Sequence, residues 1–212
     1  MKNKYIGNNL LSKKYFSTKN VIFRNIIGKN KNILDVGCNE GYFGFNNNEK
    51  SNKFYGIDII EESIKIAAQK YTSTEIYDLE NLKELSFNQK FDYIIFGDVL
   101  EHIKNPVEAL TFFSQKYLKK DGIIIISLPN VANWQIRLNL LIGKFDYTDI
   151  GILDNTHLKL YTFKSAEELA KKSGLKVIKK MFGSDILGSI INIFPLTMNL
   201  LSTNIILVCK QN

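Results

Sequence analysis

Short apolar runs alternate with longer amphipathic stretches along most of this chain. Each run is rich in β-branched or aromatic residues and ends at a glycine or a polar residue, as buried parallel strands do. These runs are 33–36, 54–58, 91–96 and 122–130. Helical patterns lie between them, at 61–71 and 107–118. Alternating strands and helices predict a parallel sheet with helices on both faces, which is an α/β fold.

The rest of the pattern is consistent with one domain that spans residues 1–212. Apolar segments at 175–182 and 204–210 read as two further strands. The chain has 212 residues and 45% hydrophobic content, enough to bury a sizeable core, and no Pro/Gly/Ser-rich linker divides it. One weak stretch, 45–53, is rich in asparagine, which favours turns over helix. We therefore expect a short or frayed helix there.

The segment ILDVGCNEG, residues 33–41, carries the most specific chemistry. Gly37 and Gly41 bracket a turn where backbone can approach a ligand without an intervening Cβ. Asp58 follows Gly37 by 21 positions at the end of the next strand, where a carboxylate can accept hydrogen bonds from ribose hydroxyls. The dinucleotide fingerprint G-x-G-x-x-G fails because position 39 is Asn, which disfavours NAD or FAD. A different nucleoside-containing ligand is predicted.

With these residues the chain resembles the class I S-adenosylmethionine-dependent methyltransferases. Their first motif is an acidic residue followed by G-x-G-x-G after strand one, and here it reads Asp35, Gly37, Asn39 and Gly41. Asn39 takes the place of the central glycine, and Asn tolerates left-handed backbone angles better than most residues. The resemblance implies S-adenosylmethionine as the cofactor.

Further motifs follow in the order of that family. Residues 73–78, STEIYD, read as the third strand. Its last residue, Asp78, matches the acidic residue that the family places near the adenine amino group. Asp98, Glu101 and His102 form a D-x-x-E-H pattern that resembles the quinone-biosynthesis and sugar-modifying methyltransferases. The resemblance extends from about residue 26 to the C-terminus. It implies a Rossmann-like, seven-stranded, mostly parallel sheet whose last strand is antiparallel.

The resemblance also implies a set of cofactor contacts. Loop residues on the methionine and ribose side are Asp35, Gly37, Asn39 and Gly41. Asp58 is expected to accept the ribose hydroxyls, and Ile59 to pack on the adenine ring. The adenine edge is expected between Asp78 and Leu79, and the methionine part beside Gly97 and Asp98.

Acid–base chemistry is assigned to Glu101 and the chain's two histidines, His102 and His157. Histidine titrates near neutral pH, so it suits a base or an orienting group; the alternative for each is a structural hydrogen bond. Asp98 and Glu101 could orient His102 or hold a divalent cation with it. Helix capping by Asp98 explains the D-x-x-E-H pattern equally well, and no metal ligand is included among the predicted site residues.

A long segment, residues 131–163, separates strands five and six and is predicted to form a substrate lid. Apolar positions in it suggest an amphipathic helix that either closes over the site or packs in the core: Trp134, Ile136, Leu138, Leu141 and Ile142. The segment resembles bacterial methyltransferases of surface-glycan and glycolipid assembly. The implied acceptor is a hydroxyl or amine of a sugar, glycolipid or quinone-like small molecule.

Charge leaves a second class of function open. The net charge is +7, and residues 1–31 hold eight Lys or Arg and no acid. Such a basic arm suits nucleic acid or an anionic membrane, or is simply a solvated helix. The alternatives are thus a nucleic-acid methyltransferase and a non-catalytic cofactor-binding protein. The absence of N-P-P-[YF] after strand four argues against methylation of base amines.

Cysteine content and apolar segments suggest a location. Cys38 and Cys209 are too few for a disulfide framework, which fits a reducing cytosol, and we expect no secretory signal. Polar residues and a proline interrupt the apolar tail 185–208, so peripheral contact with a membrane is favoured over a spanning helix. The oligomeric state is left open.

Overall fold

A computed structural model describes residues 21–45, 51–183 and 198–212. The first five strands are β1 (Asn32–Val36), β2 (Lys53–Asp58), β3 (Ser73–Ile76), β4 (Phe91–Gly97) and β5 (Leu118–Pro129). Two more, β6 (Leu175–Gly183) and β7 (Asn204–Gln211), follow a long insertion. All seven join one sheet in the order β3-β2-β1-β4-β5-β7-β6.

The orientation of the strands confirms the predicted Rossmann-like sheet. β1 pairs in parallel with β2 and β4, and β2–β3 and β4–β5 are parallel pairs as well. β7 runs antiparallel to both of its neighbours, β5 and β6. The carboxyl ends of β1 to β5 therefore lie along one edge, where open α/β sheets bind ligands.

The helices cover both faces of the sheet. Residues 21–26 are helical and we call them α1. The other helices of the described residues are α2 (Tyr42–Phe45), α3 (Glu61–Ala67), α4 (Pro106–Tyr117), α5 (Trp134–Leu141), α6 (Phe163–Lys172) and α7 (Met198–Leu201), and a 3₁₀ turn spans Leu100–His102. α4 and α6 pack on one face and α1 and α3 on the other.

Two hydrophobic clusters result from the alternation of side chains along the central strands. Leu34, Ile94 and Ile126 are buried under α4 and α6. Their neighbours in sequence, Ile33 and Ile95, point into the opposite cluster. Since successive side chains of a strand face opposite sides, a strand covered on both faces must be apolar at every position. This explains the unbroken apolar runs in the sequence.

Element boundaries differ from the sequence expectation at α3, at β3 and at β5, which begins at Leu118 rather than at residue 122. α3 ends at Ala67 rather than at residue 71, because the chain turns there and sends the Tyr71 side chain into the core. β3 ends at Ile76, two residues before Asp78. The described part of the helix after the glycine loop, α2, has only four residues. Most of the basic arm, residues 46–50 and most of the apolar tail lie outside the described residues.

The insertion between β5 and β6 contains α5. Within α5 only Ile136 is buried. The alternative that the apolar face of this helix packs in the core is therefore wrong. Leu138 and Leu141 are exposed by 51% and 82%. After α5 the insertion returns to the sheet, where Tyr161 forms a parallel bridge with Asn130. Within the described residues, no helix combines the length and the apolar character needed to cross a membrane.

Tyr71 occupies a pocket that glycines leave open. A Cβ on Gly56 would stand 2.7 Å from Cys38 Sγ and 2.8 Å from Tyr71 Cδ2, and one on Gly44 would stand 2.3 Å from Tyr71 Cε1. Both distances on Gly56 are shorter than real carbon contacts. The Tyr71 ring can therefore occupy this position only because Gly44 and Gly56 have no side chain.

We predict that Gly56→Ala destabilises the protein by about 1–3 kcal/mol, the usual cost of overpacking a filled core. Chemical denaturation measures the change. Gly183→Ala is the matched control in another strand, because a Cβ there meets Asn204 Cβ at an ordinary 3.4 Å. Equal stabilities of the two variants would contradict the packing account.

Candidate functional site

The glycine loop folds back onto the end of β2. Gly37 and Cys38 both donate their amides to Ile57 O, at 2.8 and 3.0 Å. Three residues of the glycine loop have left-handed backbone: Gly37 and Gly41 at φ 73° and Asn39 at φ 47°. The Asn39 side chain accepts from Glu40 N at 2.7 Å, so it stabilises the turn in a way that glycine could not. The expected tolerance of Asn at this position is thus explained.

Asp58 joins this loop to the turn after β2. Its Oδ2 accepts from Asn39 N at 2.8 Å and its Oδ1 from Ile60 N at 3.0 Å. The carboxylate stays partly exposed, and the neighbouring Ile59 side chain is 63% exposed. An acceptor and an apolar surface thus stand side by side, as a ribose and an adenine ring require.

Asp35 lies behind the loop in a buried hydrogen-bond chain. Tyr71 Oη donates to Asp35 Oδ2 at 2.6 Å and accepts from Gly44 N at 3.1 Å. Burial raises the pKa of Asp35 to about 7; the hydrogen bond from Tyr71 opposes this shift, and the charge of Asp58 adds to it. Sequence reasoning missed Tyr71, which follows Asp35 by 36 positions and has no motif of its own.

The third strand brings Asp78 and Leu79 to the same edge. Tyr77 N donates to Asp58 O at 2.8 Å, which ties this segment to the Asp58 turn. Asp78 Oδ1 accepts from Glu80 N at 2.9 Å, and Leu79 packs against the core. Both residues are half-buried. The structure therefore puts the predicted adenine residues next to the predicted ribose residue.

β4 ends at Gly97, beside the glycine loop, and Asp98 follows it. A Cβ on Gly97 would meet its nearest heavy atom, Phe23 Cε2, at 4.0 Å, so a side chain would fit there without a clash. Asp98 has φ 57° and accepts from Ser127 Oγ at 2.6 Å and Asn204 Nδ2 at 3.3 Å. The alternative that Asp98 caps a helix is wrong: the residues before the 3₁₀ turn and α4 are Val99 and Asn105, and neither helix has a side-chain cap.

Glu101, His102 and His157 meet although His157 follows His102 by 55 positions. The imidazole rings stand edge to face with centroids 4.8 Å apart. His157 Nε2 lies 3.9 Å from Glu101 Oε1, and the exposed fractions of these two side chains are 6% and 0%. The backbone carbonyl of Glu101 accepts from Leu158 N at 2.8 Å, which fixes the insertion against the 3₁₀ turn.

Backbone carbonyls orient both rings. His157 Nδ1 lies 3.0 Å from Ile152 O, and His102 Nδ1 lies 3.2 Å from Thr156 O. Burial and the neighbouring His157 lower the pKa of His102, against an opposing effect of the Thr156 hydrogen bond. Burial, together with the charge of Glu101, raises the pKa of Tyr161 to about 12. Glu101 and His102 lie three to five residues beyond Gly97 and Asp98 along the chain, and His157 joins them from the insertion.

These features fit S-adenosylmethionine. The Asp58 carboxylate suits the ribose, exposed Ile59 suits the adenine ring, and the methionine part is expected at the end of β4, beside Gly97 and Asp98. The structure thus brings the predicted cofactor residues to one edge of the sheet and the predicted acid–base residues to the end of β4.

Comparison with known proteins identifies the family. A family model described as a methyltransferase domain matches residues 27–141, which is more than half of the chain. The chain therefore belongs to the class I S-adenosylmethionine-dependent methyltransferases. An uncharacterized protein of Methanocaldococcus jannaschii is 31% identical over 74% of this chain and 66% of its own length.

Two further similarities agree with this family. A ubiquinone biosynthesis O-methyltransferase of Rickettsia bellii is 28% identical over 53% of this chain and 48% of its own length. The chain thus spans about half to two thirds of these curated relatives. A Burkholderia thailandensis 1,6-didemethyltoxoflavin-N1-methyltransferase, solved with 1,6-didemethyltoxoflavin and S-adenosylhomocysteine, has the same fold at 12% identity, with a TM-score of 0.66 over 96% of this chain and 82% of that one.

We predict that Asp35 makes stability fall as the pH rises from about 4 to about 7. The folded-state pKa of Asp35 is raised from 3.8 to about 7, so its contribution is complete below the unfolded value and is lost on passing the folded one. The slope is at most about 1.4 kcal/mol per pH unit.

Denaturant unfolding at pH 5 and pH 8, on wild type and Asp35→Asn, measures this effect. The variant keeps an oxygen for Tyr71 but does not titrate, so its loss of stability between the two pH values should be smaller. Asp121→Asn, an exposed carboxyl at the other end of the sheet, controls for charge alone. Parallel pH profiles for wild type and Asp35→Asn would contradict the assignment.

Proposed function

We propose that the protein transfers the methyl group of S-adenosylmethionine to a hydroxyl or amine of a small-molecule acceptor. The observation that supports this proposal most directly is the position of the cluster formed by Glu101, His102 and His157. Glu101 and His102 belong to the 3₁₀ turn that follows β4, and His157 meets them from the insertion, so a methyl donor held at the carboxyl ends of the strands has proton-accepting groups beside it. The acceptor class is a sugar, a glycolipid or a quinone-like compound.

The cofactor supplies a methyl group that its positive sulfonium already activates, so transfer is an in-line displacement. Most of the rate enhancement then comes from holding the two reactants in line. In our proposal Asp58 and Ile59 bind the nucleoside, with Asp78 and Leu79 at the adenine edge. Asp35, Gly37, Asn39 and Gly41 form the loop beside the methionine part, and Gly97 and Asp98 complete that side.

The acceptor is proposed to lie between β4 and the insertion. His102 and His157 orient its hydroxyl or amine and take up its proton, because both rings hold Nδ1 against backbone carbonyls and direct Nε2 elsewhere. Exposed apolar residues of α5, such as Leu138 and Leu141, offer a surface for an apolar part of the acceptor. The lid role of residues 131–163 rests on this exposure and on the contacts of Leu158 and Lys159 with Glu101 O.

Relatives support the acceptor class. The Rickettsia bellii relative is named for ubiquinone biosynthesis and O-methylation. The Burkholderia thailandensis structure contains the small molecule 1,6-didemethyltoxoflavin. The nucleic-acid alternative is supported by the basic arm, and most of this arm lies outside the described residues. We therefore favour a small molecule, with the protein placed in the cytoplasm or at a membrane surface.

We predict micromolar binding of S-adenosylhomocysteine, on the order of −8 kcal/mol, and at least tenfold weaker binding by Asp58→Ala. Loss of the carboxylate removes the ribose acceptor and the two hydrogen bonds that join the loops. Isothermal titration calorimetry measures both values. Asp121→Ala is the control, because that exposed carboxyl lies near the amino end of β5, away from the site.

An acceptor screen with nucleotide sugars, glycolipids and quinone precursors follows, with release of S-adenosylhomocysteine as the signal. Strong, salt-sensitive retention of RNA or DNA would instead favour the nucleic-acid alternative. Folded wild type that binds neither S-adenosylmethionine nor S-adenosylhomocysteine would refute the proposed function.

A further inference from the structure

The cluster of Glu101, His102 and His157 has more than the geometry of a proton acceptor. One carboxylate oxygen and one nitrogen from each ring lie within 4.8 Å of one another. Two of these residues belong to the 3₁₀ turn after β4, and the third comes from the insertion. The D-x-x-E-H pattern pointed to Asp98 as a partner of His102, but Asp98 is directed to Ser127 and Asn204, and His157 joins the cluster instead.

Backbone contacts favour the tautomer of both histidines that carries its lone pair on Nε2. A carbonyl oxygen can only accept, so the contacts with Thr156 O and Ile152 O place the proton of each neutral ring on Nδ1. Thr156 Oγ1 also lies 3.2 Å from His102 Nδ1, but its hydroxyl donates to Asp154 Oδ1 at 2.6 Å. The lone pair is then on Nε2. Metal-binding histidines almost always donate their other ring N–H to a carboxylate, a backbone carbonyl or water, which fixes the ring and the tautomer.

Burial gives the cluster a reason to bind a cation. The Glu101 side chain is completely buried and that of His157 is 6% exposed. A completely buried carboxylate beside two imidazole rings offers a divalent ion an anionic ligand, and buried charges in proteins are paired or coordinate metals. A divalent ion would be attracted to the carboxylate and held by both rings.

The distances require only a small adjustment. Around tetrahedral zinc the ligand atoms stand roughly 3.3 Å apart, since the Zn–N and Zn–O bonds are about 2.0–2.2 Å long. His157 Nε2 and Glu101 Oε1 are at 3.9 Å, so a side-chain rotation of well under an ångström would bring them to that spacing. The longest separation, 4.8 Å, needs a shift of roughly an ångström and a half shared between two side chains.

We propose that Glu101, His102 and His157 bind one divalent transition-metal ion, such as Zn²⁺, next to the cofactor site. Two imidazoles and a carboxylate suit Zn²⁺ or Fe²⁺, whereas Mg²⁺ and Ca²⁺ prefer oxygen ligands. Three protein ligands leave coordination positions open, which is typical of catalytic rather than structural sites.

The open positions are assigned to an oxygen of the acceptor, and this part rests on the proposed function. A cation lowers the pKa of a hydroxyl bound to it. The acceptor oxygen then forms the bond to the methyl carbon while the carbon–sulfur bond breaks and its electron pair stays on sulfur, and the hydroxyl proton passes to water. The imidazoles act here as ligands, in place of the proton uptake assigned to them above.

The chain's two histidines allow a direct test, because every imidazole signal belongs to His102 or His157. Chelator-treated, ¹⁵N-labelled protein is titrated with Zn²⁺ alone, without cofactor, and the ring nitrogens are followed by NMR. We expect both Nε2 signals to shift together and to saturate at one equivalent, while both Nδ1 stay protonated. Unshifted Nε2 signals, or a shift of only one ring, would overturn the proposal.

Calorimetry with Zn²⁺ on variants completes the test. Glu101→Gln keeps the side-chain volume and should weaken Zn²⁺ binding at least tenfold, whereas Glu108→Gln, an exposed residue on α4, should leave it unchanged. Equal Zn²⁺ affinities of a folded Glu101→Gln variant and wild type would also overturn the site. Binding of S-adenosylhomocysteine is measured separately, so failure of the metal site and failure of the proposed function are distinguishable.

Discussion

The candidate cofactor site depends on one carboxylate that fastens two loops together. Asp58 accepts the amide of Asn39 with one oxygen and the amide of Ile60 with the other. The glycine loop can present Asn39 N in this direction only because three of its residues adopt left-handed backbone. The backbone of the loop therefore requires the spacing of Gly37, Asn39 and Gly41. The ligand-binding motif is a consequence of this requirement.

A second layer of support lies behind the loop. Tyr71 fills the space that Gly44 and Gly56 leave open, and its hydroxyl holds the buried carboxyl of Asp35. Because Asp35 is desolvated, its pKa stands near neutrality. A positively charged cofactor near the loop would favour the ionised form. Ionised Asp35 lowers the free energy of unfolding at higher pH, but its charge would attract the bound cofactor.

The sequence predicted the sheet well, because the central parts of β1, β4 and β5 are covered on both faces and are therefore mostly apolar. The cofactor residues could be placed because they follow strand ends, and parallel strand ends share an edge. The contacts of Tyr71 and of Asp98 could not be predicted. They join positions 36 and 106 residues apart, and no local pattern records such a distance.

The acid–base residues were likewise predictable from the sequence only in part. Both histidines were singled out by their rarity and position, but only the folded insertion brings His157 to Glu101. Asp98, for which helix capping was one alternative, accepts hydrogen bonds from Ser127 and Asn204 instead. For α5 the apolar pattern was ambiguous: an exposed apolar helix and a buried one have similar sequences, and the difference lies in what the rest of the fold leaves to cover it.

A crystal structure with S-adenosylhomocysteine tests the central claim most directly. The account predicts ribose hydroxyls within hydrogen-bond distance of Asp58, the adenine ring between Ile59 and Leu79, and the sulfur atom directed toward His102 and His157. A nucleoside bound away from Asp58, or a sulfur atom facing away from both histidines, would contradict it.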